Sequence, residues 1–156
     1  MPDFQVGVIS DTHGLLRAEA LSALRGSELI IHAGDIGGPK VVDELARLAP
    51  LSAIRGNIDI APWAENLPGT EVVEVGGISI YVLHNVKDLD LNPRAAGFAA
   101  VISGHTHKPS IETRDGVLYF NPGSAGPRRF SLPITIGKLE IREGKLIPYI
   151  VELAHH

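Results

Sequence analysis

The segment Val6-Gly7-Val8-Ile9-Ser10-Asp11 is a short, apolar, β-branched run that stops abruptly at two polar residues. The same change of character recurs in Leu29-Ile30-Ile31 before residues 32–35, and in residues 51–54 before residues 55–57. Such runs are typical of fully buried strands in an α/β sheet. Apolar residues at helical spacing over 17–25 and 39–48 separate them. The pattern predicts strand, helix, strand, helix, strand, with parallel pairing and right-handed crossovers.

The second half of the chain indicates hairpins. Gly76-Gly77, Asp115-Gly116 and Glu143-Gly144 each separate two short apolar runs, and a further buried strand is predicted over residues 99–103. Residues 86–97 have the composition of a loop with one short helix. We therefore expect a single α/β domain over residues 1–156, with two packed mixed sheets and helices outside, parallel in the first half and hairpin-rich in the second. His155 and His156 are either a native end or a tag remnant, and no role is given to them.

Composition excludes several classes of function. The 156 residues include seven histidines and no cysteine, which excludes a disulfide framework, a thiolate zinc site and a cysteine nucleophile. The formal net charge of −4 offers no basic surface for duplex nucleic acid. No secretory leader and no apolar run of about 18 residues is present, so we expect a cytoplasmic protein without a membrane span. A homo-oligomer through an edge strand or the later hairpins is left open.

Side chains that bind metals follow the predicted strands. In open α/β sheets, ligands bind at the carboxyl ends of strands. Each residue alone has an ordinary explanation as a turn residue, a helix cap or a hydrogen-bonded histidine. Their conjunction favours a site, since four of the five histidines before the C-terminal tail fall at strand ends. The seven donors are Asp11, His13, Asp35, Asn57, His84, His105 and His107.

This donor set has a chemical preference. Two carboxylates, four imidazoles and one amide oxygen suit Mn²⁺, Fe²⁺, Zn²⁺ or Ni²⁺. Seven donors exceed a single tetrahedral site and fit two ions that share one carboxylate, an arrangement that stabilises in-line phosphoryl displacement.

The order of these residues resembles a known family. Asp11-x-His13, Gly34-Asp35, Gly56-Asn57-x-Asp59, His84 and Gly104-His105-x-His107 are similar to the five motifs of the calcineurin-like metallophosphoesterase superfamily. Asn121-Pro122-Gly123-Ser124, followed by Pro127-Arg128, resembles the small single-domain YfcE-type phosphodiesterases of bacteria and archaea.

The resemblance implies a four-layer αββα sandwich with a dinuclear metal site at the strand carboxyl ends. It implies one ion on Asp11, His13, Asp35 and His107, and a second on Asp35, Asn57, His84 and His105, with Asp35 as the bridge. The implied activity is phosphodiester hydrolysis of a small phosphoester by a metal-bridging hydroxide, with Mn²⁺ favoured and with Asp35, Asn57 and His84 nearest the chemistry. The alternative is a protein-binding scaffold of the same fold, as in a eukaryotic retromer subunit.

Two positions depart from the family pattern. Many members carry a histidine where this chain has Ile58, and some carry another where it has Val86. Isoleucine cannot donate a proton, which predicts slow hydrolysis that favours acidic leaving groups such as aryl alcohols.

Three further residues are weaker candidates. His32 is expected to support the site from behind its ligands. Asp59 either orients Asn57 or a neighbouring loop, or is an exposed turn residue. Arg128, with Arg129, either contacts a phosphate oxygen or is a solvated loop residue.

Overall fold

A computed structural model describes residues 3–153 of the chain, so His155 and His156 lie outside the described residues. These described residues form two α-helices, ten strands and two short 3₁₀ turns, at Pro62–Ala64 and Val86–Asp88. The helices are α1 (Ala18–Leu24) and α2 (Pro39–Leu48). The strands are β1 (Phe4–Ile9), β2 (Leu29–His32), β3 (Leu51–Ala53), β4 (Thr70–Val75), β5 (Ile78–Leu83), β6 (Ala100–Ile102), β7 (Ser110–Arg114), β8 (Val117–Asn121), β9 (Thr135–Arg142) and β10 (Lys145–Glu152).

The first sheet has the strand order β10-β9-β1-β2-β3. Its strands β1, β2 and β3 are parallel, with α1 and α2 as the crossovers, which confirms the predicted alternation. Helix α1 ends at Leu24, one residue short of the prediction, and Gly26 follows in a left-handed conformation. The C-terminal hairpin joins this sheet because β9 pairs antiparallel with β1.

The second sheet has the order β4-β5-β6-β8-β7. The predicted hairpins β4–β5 and β7–β8 are present. The second sheet is mixed, as predicted, because β5, β6 and β8 are parallel to one another beside the two antiparallel hairpins. The connection between β5 and β6, and strand β7 between β6 and β8, each bring the chain back to the end of the sheet where the previous central strand began. The strands β5, β6 and β8 therefore run in one direction.

Four layers result from the packing of these sheets. The core between the sheets contains Val8, Ile31, Ile80, Ile102 and Phe120, all at most 1% exposed. Helices α1 and α2 cover the outer face of the first sheet with apolar side chains. The outer face of the second sheet is covered by the segment around the Val86–Asp88 turn, so the fourth layer is a loop with a single 3₁₀ turn and contains no α-helix within the described residues.

The carboxyl ends of strands from both sheets meet at one edge of the sandwich. The backbone N–H of Asp11, after β1, donates to Gly34 after β2, and His84, after β5, contacts the same loop through Ala33. No helix in the described part of the chain combines the length and the hydropathy needed to cross a membrane.

Candidate metal centre

Five of the seven predicted ligands lie on backbone in the left-handed region. The φ angles of Asp11, His13, Asp35, His105 and His107 lie between 48° and 72°. Non-glycine residues rarely adopt this conformation, and such residues concentrate at functional sites where the surrounding structure holds them in place. The loops at this edge are therefore held in conformations that point these particular side chains in fixed directions.

A first group of donors comprises Asp11, His13 and His107. Nε2 of His13 lies 3.8 Å from Asp11 Oδ1, and Nε2 of His107 lies 3.4 Å from the same oxygen. The two imidazole rings are 5.3 Å apart. One carboxylate oxygen therefore faces two imidazole nitrogens.

A second group comprises Asp11, Asp35 and His84. Nε2 of His84 lies 3.3 Å from Asp35 Oδ2 and 3.8 Å from Asp11 Oδ1. Asp35 Oδ2 is also 3.7 Å from His13 Nε2. Asp35 Oδ2 thus faces histidines of both groups, and Asp11 is the residue that belongs to both groups.

The donor atoms lack protein partners that would explain their burial. Asp11 Oδ1, His13 Nε2 and His84 Nε2 are all buried and form no hydrogen bond within the described residues. Buried polar atoms are nearly always paired, so three that face one another need a common partner. Two ligands of one divalent ion at about 2.1 Å lie roughly 3.0–3.4 Å apart. The His84–Asp35 and His107–Asp11 donor atoms, at 3.3 and 3.4 Å, have this spacing, and Asp11 Oδ1 is 3.8 Å from the nitrogens of His13 and His84. The residues therefore fit a metal ion.

Hydrogen bonds and charge prepare His84 as a ligand. Its Nδ1 is 2.7 Å from the Ala33 carbonyl, which only accepts, so Nδ1 carries the proton and the Nε2 lone pair points at the carboxylates. Burial lowers the pKa of His84, but the neighbouring Asp35 carboxylate and the Ala33 carbonyl outweigh it and raise the pKa. A cation at this place, either a proton or a metal, is favoured.

The pKa values of Asp35 and His107 are lowered, whereas that of His84 is raised. Burial alone raises the pKa of Asp35, but the His84 imidazole and the Ile58 N–H lower it to about 2. Burial lowers the pKa of His107, and the Arg129 guanidinium lowers it further against the opposing charge of Asp11. At neutral pH these shifts favour an ionised carboxylate and a neutral imidazole, which are the forms that ligate metals.

Asp11 is held by hydrogen bonds from its own loop and from two others. Its Oδ2 accepts hydrogen bonds from Ser10 Oγ at 2.7 Å and from the His105 N–H at 3.0 Å. Its carbonyl accepts from Ser124 Oγ at 3.0 Å. A Cβ on Gly104 would overlap Ser10 Oγ and come within 2.5 Å of Asp11 Oδ2, so this close approach requires glycine. The motifs contain Gly104 and Ser124, but the sequence did not show their contact with Asp11, and Ser10 was not recognised as a supporting residue.

The remaining two predicted ligands lie at the margin of the groups. The His105 ring packs edge-on against the His84 ring, with 5.3 Å between centroids. Asn57 is exposed and lines the same cavity as His84. The structure brings five of the seven donors within ligand distance of one another and places His105 and Asn57 beside them.

His32 connects two ligand loops. The Thr12 hydroxyl donates to the Ile36 carbonyl at 2.7 Å, so it accepts the proton of His32 Nε2 at 3.0 Å. Nδ1 of His32 accepts the Gly34 N–H at 3.1 Å. Burial lowers the pKa of His32 to about 3, which keeps the ring neutral. The ring therefore supports the residues beside Asp11, His13 and Asp35 and has no nitrogen left for a metal.

Asp59 is 3% exposed, which rules out the alternative of an exposed turn residue and leaves the alternative in which it orients a neighbouring loop. Its Oδ2 accepts the N–H groups of Ile36 and Gly56, and its Oδ1 accepts that of Gly37, each at 3.0 Å. The carboxylate therefore ties the loop that contains Asp35 to the loop that contains Asn57. A charged acceptor for three otherwise unpaired donors explains why it is buried.

The last residue of β8 supports the histidine loop through its side chain. Asn121 Nδ2 donates to the Gly104 carbonyl at 2.9 Å and to Thr106 Oγ1 at 3.2 Å. Arg128 and Arg129 are both exposed on the following segment. The guanidinium of Arg129 lowers the pKa of His107, so its positive charge acts on this end of the site.

Ile58 lies beside the Asp35 carboxylate. Its backbone N–H donates to Asp35 Oδ1 at 3.1 Å, and its side chain is 45% exposed. The position that carries a histidine in many relatives thus presents an apolar side chain to the solvent next to Asp35.

Comparison with known proteins decides the family. The model of the calcineurin-like phosphoesterase superfamily domain matches residues 4–144. The chain belongs to this superfamily. It is 37% identical over 159 aligned residues to a probable metallophosphoesterase of Methanocaldococcus jannaschii, covering 92% of this chain and 80% of the relative. It is 26% identical to a phosphodiesterase of the same archaeon, covering 95% of this chain and 99% of that protein.

Solved structures share the fold of this superfamily member. The structure of an archaeal phosphodiesterase matches with a TM-score of 0.77 at 25% identity, covering 94% of this chain and 99% of that one. A Vps29 variant of Entamoeba histolytica matches with a TM-score of 0.74 at 23% identity, covering 95% and 98%. The predicted family and the predicted α/β fold of two mixed sheets are therefore confirmed, and the chain is a metal-dependent phosphoesterase by family.

Proposed function

We propose that this superfamily member is a phosphodiesterase that uses two divalent metal ions, with Mn²⁺ favoured, to hydrolyse a small phosphoester. One ion would be held by Asp11, His13, Asp35 and His107, and the other by Asp35, Asn57, His84 and His105. The observation that carries the proposal is the convergence of three buried, unpartnered donor atoms on Asp11, His13 and His84. The cytoplasmic location and the single-domain extent over residues 1–156 stay predictions.

When bound, two divalent ions lower the pKa of a water molecule, supply it as nucleophile for in-line attack and neutralise charge on the phosphate. The residues of the chain hold the proposed ligands in position. Asp59 and His32 hold the loops that contain Asp35 and Asp11, and the Ala33 carbonyl fixes the His84 tautomer. Arg129 adds positive charge on the His107 side, where it attracts a phosphodiester anion.

The test is hydrolysis of bis(p-nitrophenyl) phosphate with added Mn²⁺, with a chelator, and by the variants Asp35→Ala and His107→Ala. Both variants and the chelated protein are expected to lose at least about 100-fold in rate, because a missing ligand impairs the metals as well as the geometry. Metal content after dialysis provides a second measurement. Full activity in the metal-stripped protein, or in both variants, contradicts the assignment.

The leaving group is expected to matter. With Ile58 beside Asp35, no side chain at this position can protonate a departing alkoxide. The proposed enzyme therefore cleaves aryl esters faster than alkyl esters. Similar rates of bond cleavage for both classes would contradict this part of the proposal.

The second candidate function is a protein-binding scaffold, which we consider because the fold is similar to Vps29 structures. The same assay distinguishes it from the enzyme. All seven ligand positions hold competent donors, which favours the enzyme. Absence of hydrolysis under every metal condition, combined with normal folding, would favour the scaffold.

A further inference from the structure

A cavity of about 450 Å³ opens beside His84 and Asn57. Its walls include two of the residues proposed to hold the second ion, so a substrate whose phosphate lies on the metals reaches directly into it. Cavities of this size are typical of small-molecule sites. His84 is only 6% exposed and its Nε2 faces the Asp11 and Asp35 carboxylates, so this residue joins the cavity to the proposed metal centre.

The far wall of the cavity is acidic. Asp88 ends the 3₁₀ turn Val86–Asp88, and Asp90 follows two residues later; both line the cavity and both are exposed. Neither carboxylate forms an ion pair within 4 Å among residues 3–153. Lys87, the cation of the same turn, does not line the cavity.

An aromatic face lies in the same cavity. Tyr81 is half-buried, lines the cavity and stacks on Phe98 with 5.2 Å between ring centroids. The single cation of the lining is Arg55, whose Nη2 is 3.7 Å from the place that a Cβ on Gly69 would occupy. Two carboxylates against one guanidinium leave the lining with a charge of −1, and an aromatic ring beside carboxylates is the chemistry that binds ammonium groups.

We propose that this cavity receives a positively charged substituent of the phosphodiester, an alcohol that carries an amine or a quaternary ammonium group. The inference rests on the proposed function, because the phosphate must lie on the metals for the substituent to reach Asp88 and Asp90. A substituent that carries a second phosphate would face both carboxylates and is disfavoured. The negative charge of this lining and the positive charge that Arg129 exerts near His107 would together orient the diester.

The test compares two diesters with the same p-nitrophenolate leaving group. One carries choline, and the other carries 3,3-dimethylbutanol, which has the same shape without the charge. The wild-type protein with Mn²⁺ is expected to favour the choline ester in kcat/KM by about threefold to tenfold, the range for two solvent-exposed charge pairs. Binding of phosphocholine against 3,3-dimethylbutyl phosphate, measured by calorimetry, is expected to show the same ratio in Kd.

The matched variants are Asp88→Asn with Asp90→Asn, and Asp43→Asn with Glu143→Gln. Asp43 lies on α2 and Glu143 in the β9–β10 turn, both are exposed, and neither lines the cavity. Both pairs remove two negative charges. The proposal is supported if the preference for the choline ester is lost in Asp88→Asn with Asp90→Asn and is kept in Asp43→Asn with Glu143→Gln.

Three outcomes overturn it. An equal or reversed preference in the wild-type protein refutes the cavity assignment and leaves the hydrolase intact, because both esters are still cleaved. An equal loss of preference in both variant pairs assigns the effect to net charge and refutes the cavity. No hydrolysis of either ester, with no Mn²⁺ bound, refutes the proposed function and the inference together.

Discussion

The substitution Asp59→Asn tests whether one buried carboxylate organises the metal loops. Asp59 accepts three backbone N–H groups at 3.0 Å each. Asparagine has a single acceptor oxygen, so in either orientation at least one N–H meets the amide NH₂ group. Hydrogen bonds to charged acceptors contribute roughly 1.5–3 kcal/mol each, and an unpaired buried donor adds its desolvation cost. We expect the free energy of unfolding to fall by about 2–4 kcal/mol, and Tm by about 5–15 °C.

The assay is urea unfolding of the metal-free protein, which separates this effect from loss of bound metal. Asp43→Asn on α2 is the control, because Asp43 is exposed and surface substitutions of this kind usually change stability by less than about 0.5 kcal/mol. Mn²⁺ affinity of Asp59→Asn is expected to fall by about 10–100-fold, since Asp59 positions the loops of Asp35 and Asn57. If the free energy of unfolding of the metal-free variant lies within about 0.5 kcal/mol of the wild-type value, the argument for Asp59 fails.

Three further predictions concern the same edge of the sandwich. A Cβ on Gly56 would overlap the Asp35 backbone nitrogen and Oδ1, so Gly56→Ala is expected to lower the free energy of unfolding by about 1–3 kcal/mol and to weaken Mn²⁺ binding. The control is Gly38→Ala, whose Cβ would meet nothing within 4 Å and should change neither quantity, as measured by urea unfolding and metal titration. Ile58→His is expected to raise the rate on alkyl phosphodiesters more than on aryl ones, and an equal change in both rates would show that the new imidazole does not protonate the leaving group. His32 has a pKa of about 3 in the folded protein against 6.5 in the unfolded chain, so its contribution to stability is complete above pH 6.5 and is lost as the pH falls toward 3. Between pH 7 and pH 5, urea unfolding should show that the wild-type protein loses about 2 kcal/mol more stability than His32→Gln. Equal losses in the two proteins would refute a neutral His32.

Sequence was most informative where strands end. Abrupt stops after Ile9, Ile31 and Leu83 predicted both the strand ends and the ligands that follow, because parallel strands in one sheet bring their carboxyl ends to one edge. The pairing of β6 with β5 and β8 was not predictable in the same way. Short buried runs carry no signal of direction, and the path of the connecting loops decides it.

The supporting residues were less predictable than the ligands. Asp59 reads as a turn residue in sequence, and only the approach of Ile36 and Gly37 from another loop shows that it is a buried acceptor. Ser10 and Ser124 hold Asp11 through single hydroxyl hydrogen bonds, which leave no pattern in the chain. The electrostatic effect of Arg129 on His107 depends on a loop conformation that no periodicity encodes.

The left-handed backbone at Asp11, His13, Asp35, His105 and His107 has a consequence for how metal reaches this protein. A zinc finger condenses around its ion and unfolds without it. Here the main-chain conformation and the hydrogen bonds of the Asp59 carboxylate set the directions of the donor side chains. We therefore expect the proposed site to exchange one divalent cation for another without refolding of the chain. The metal bound would then depend on the supply of free ions as well as on the type of ligand.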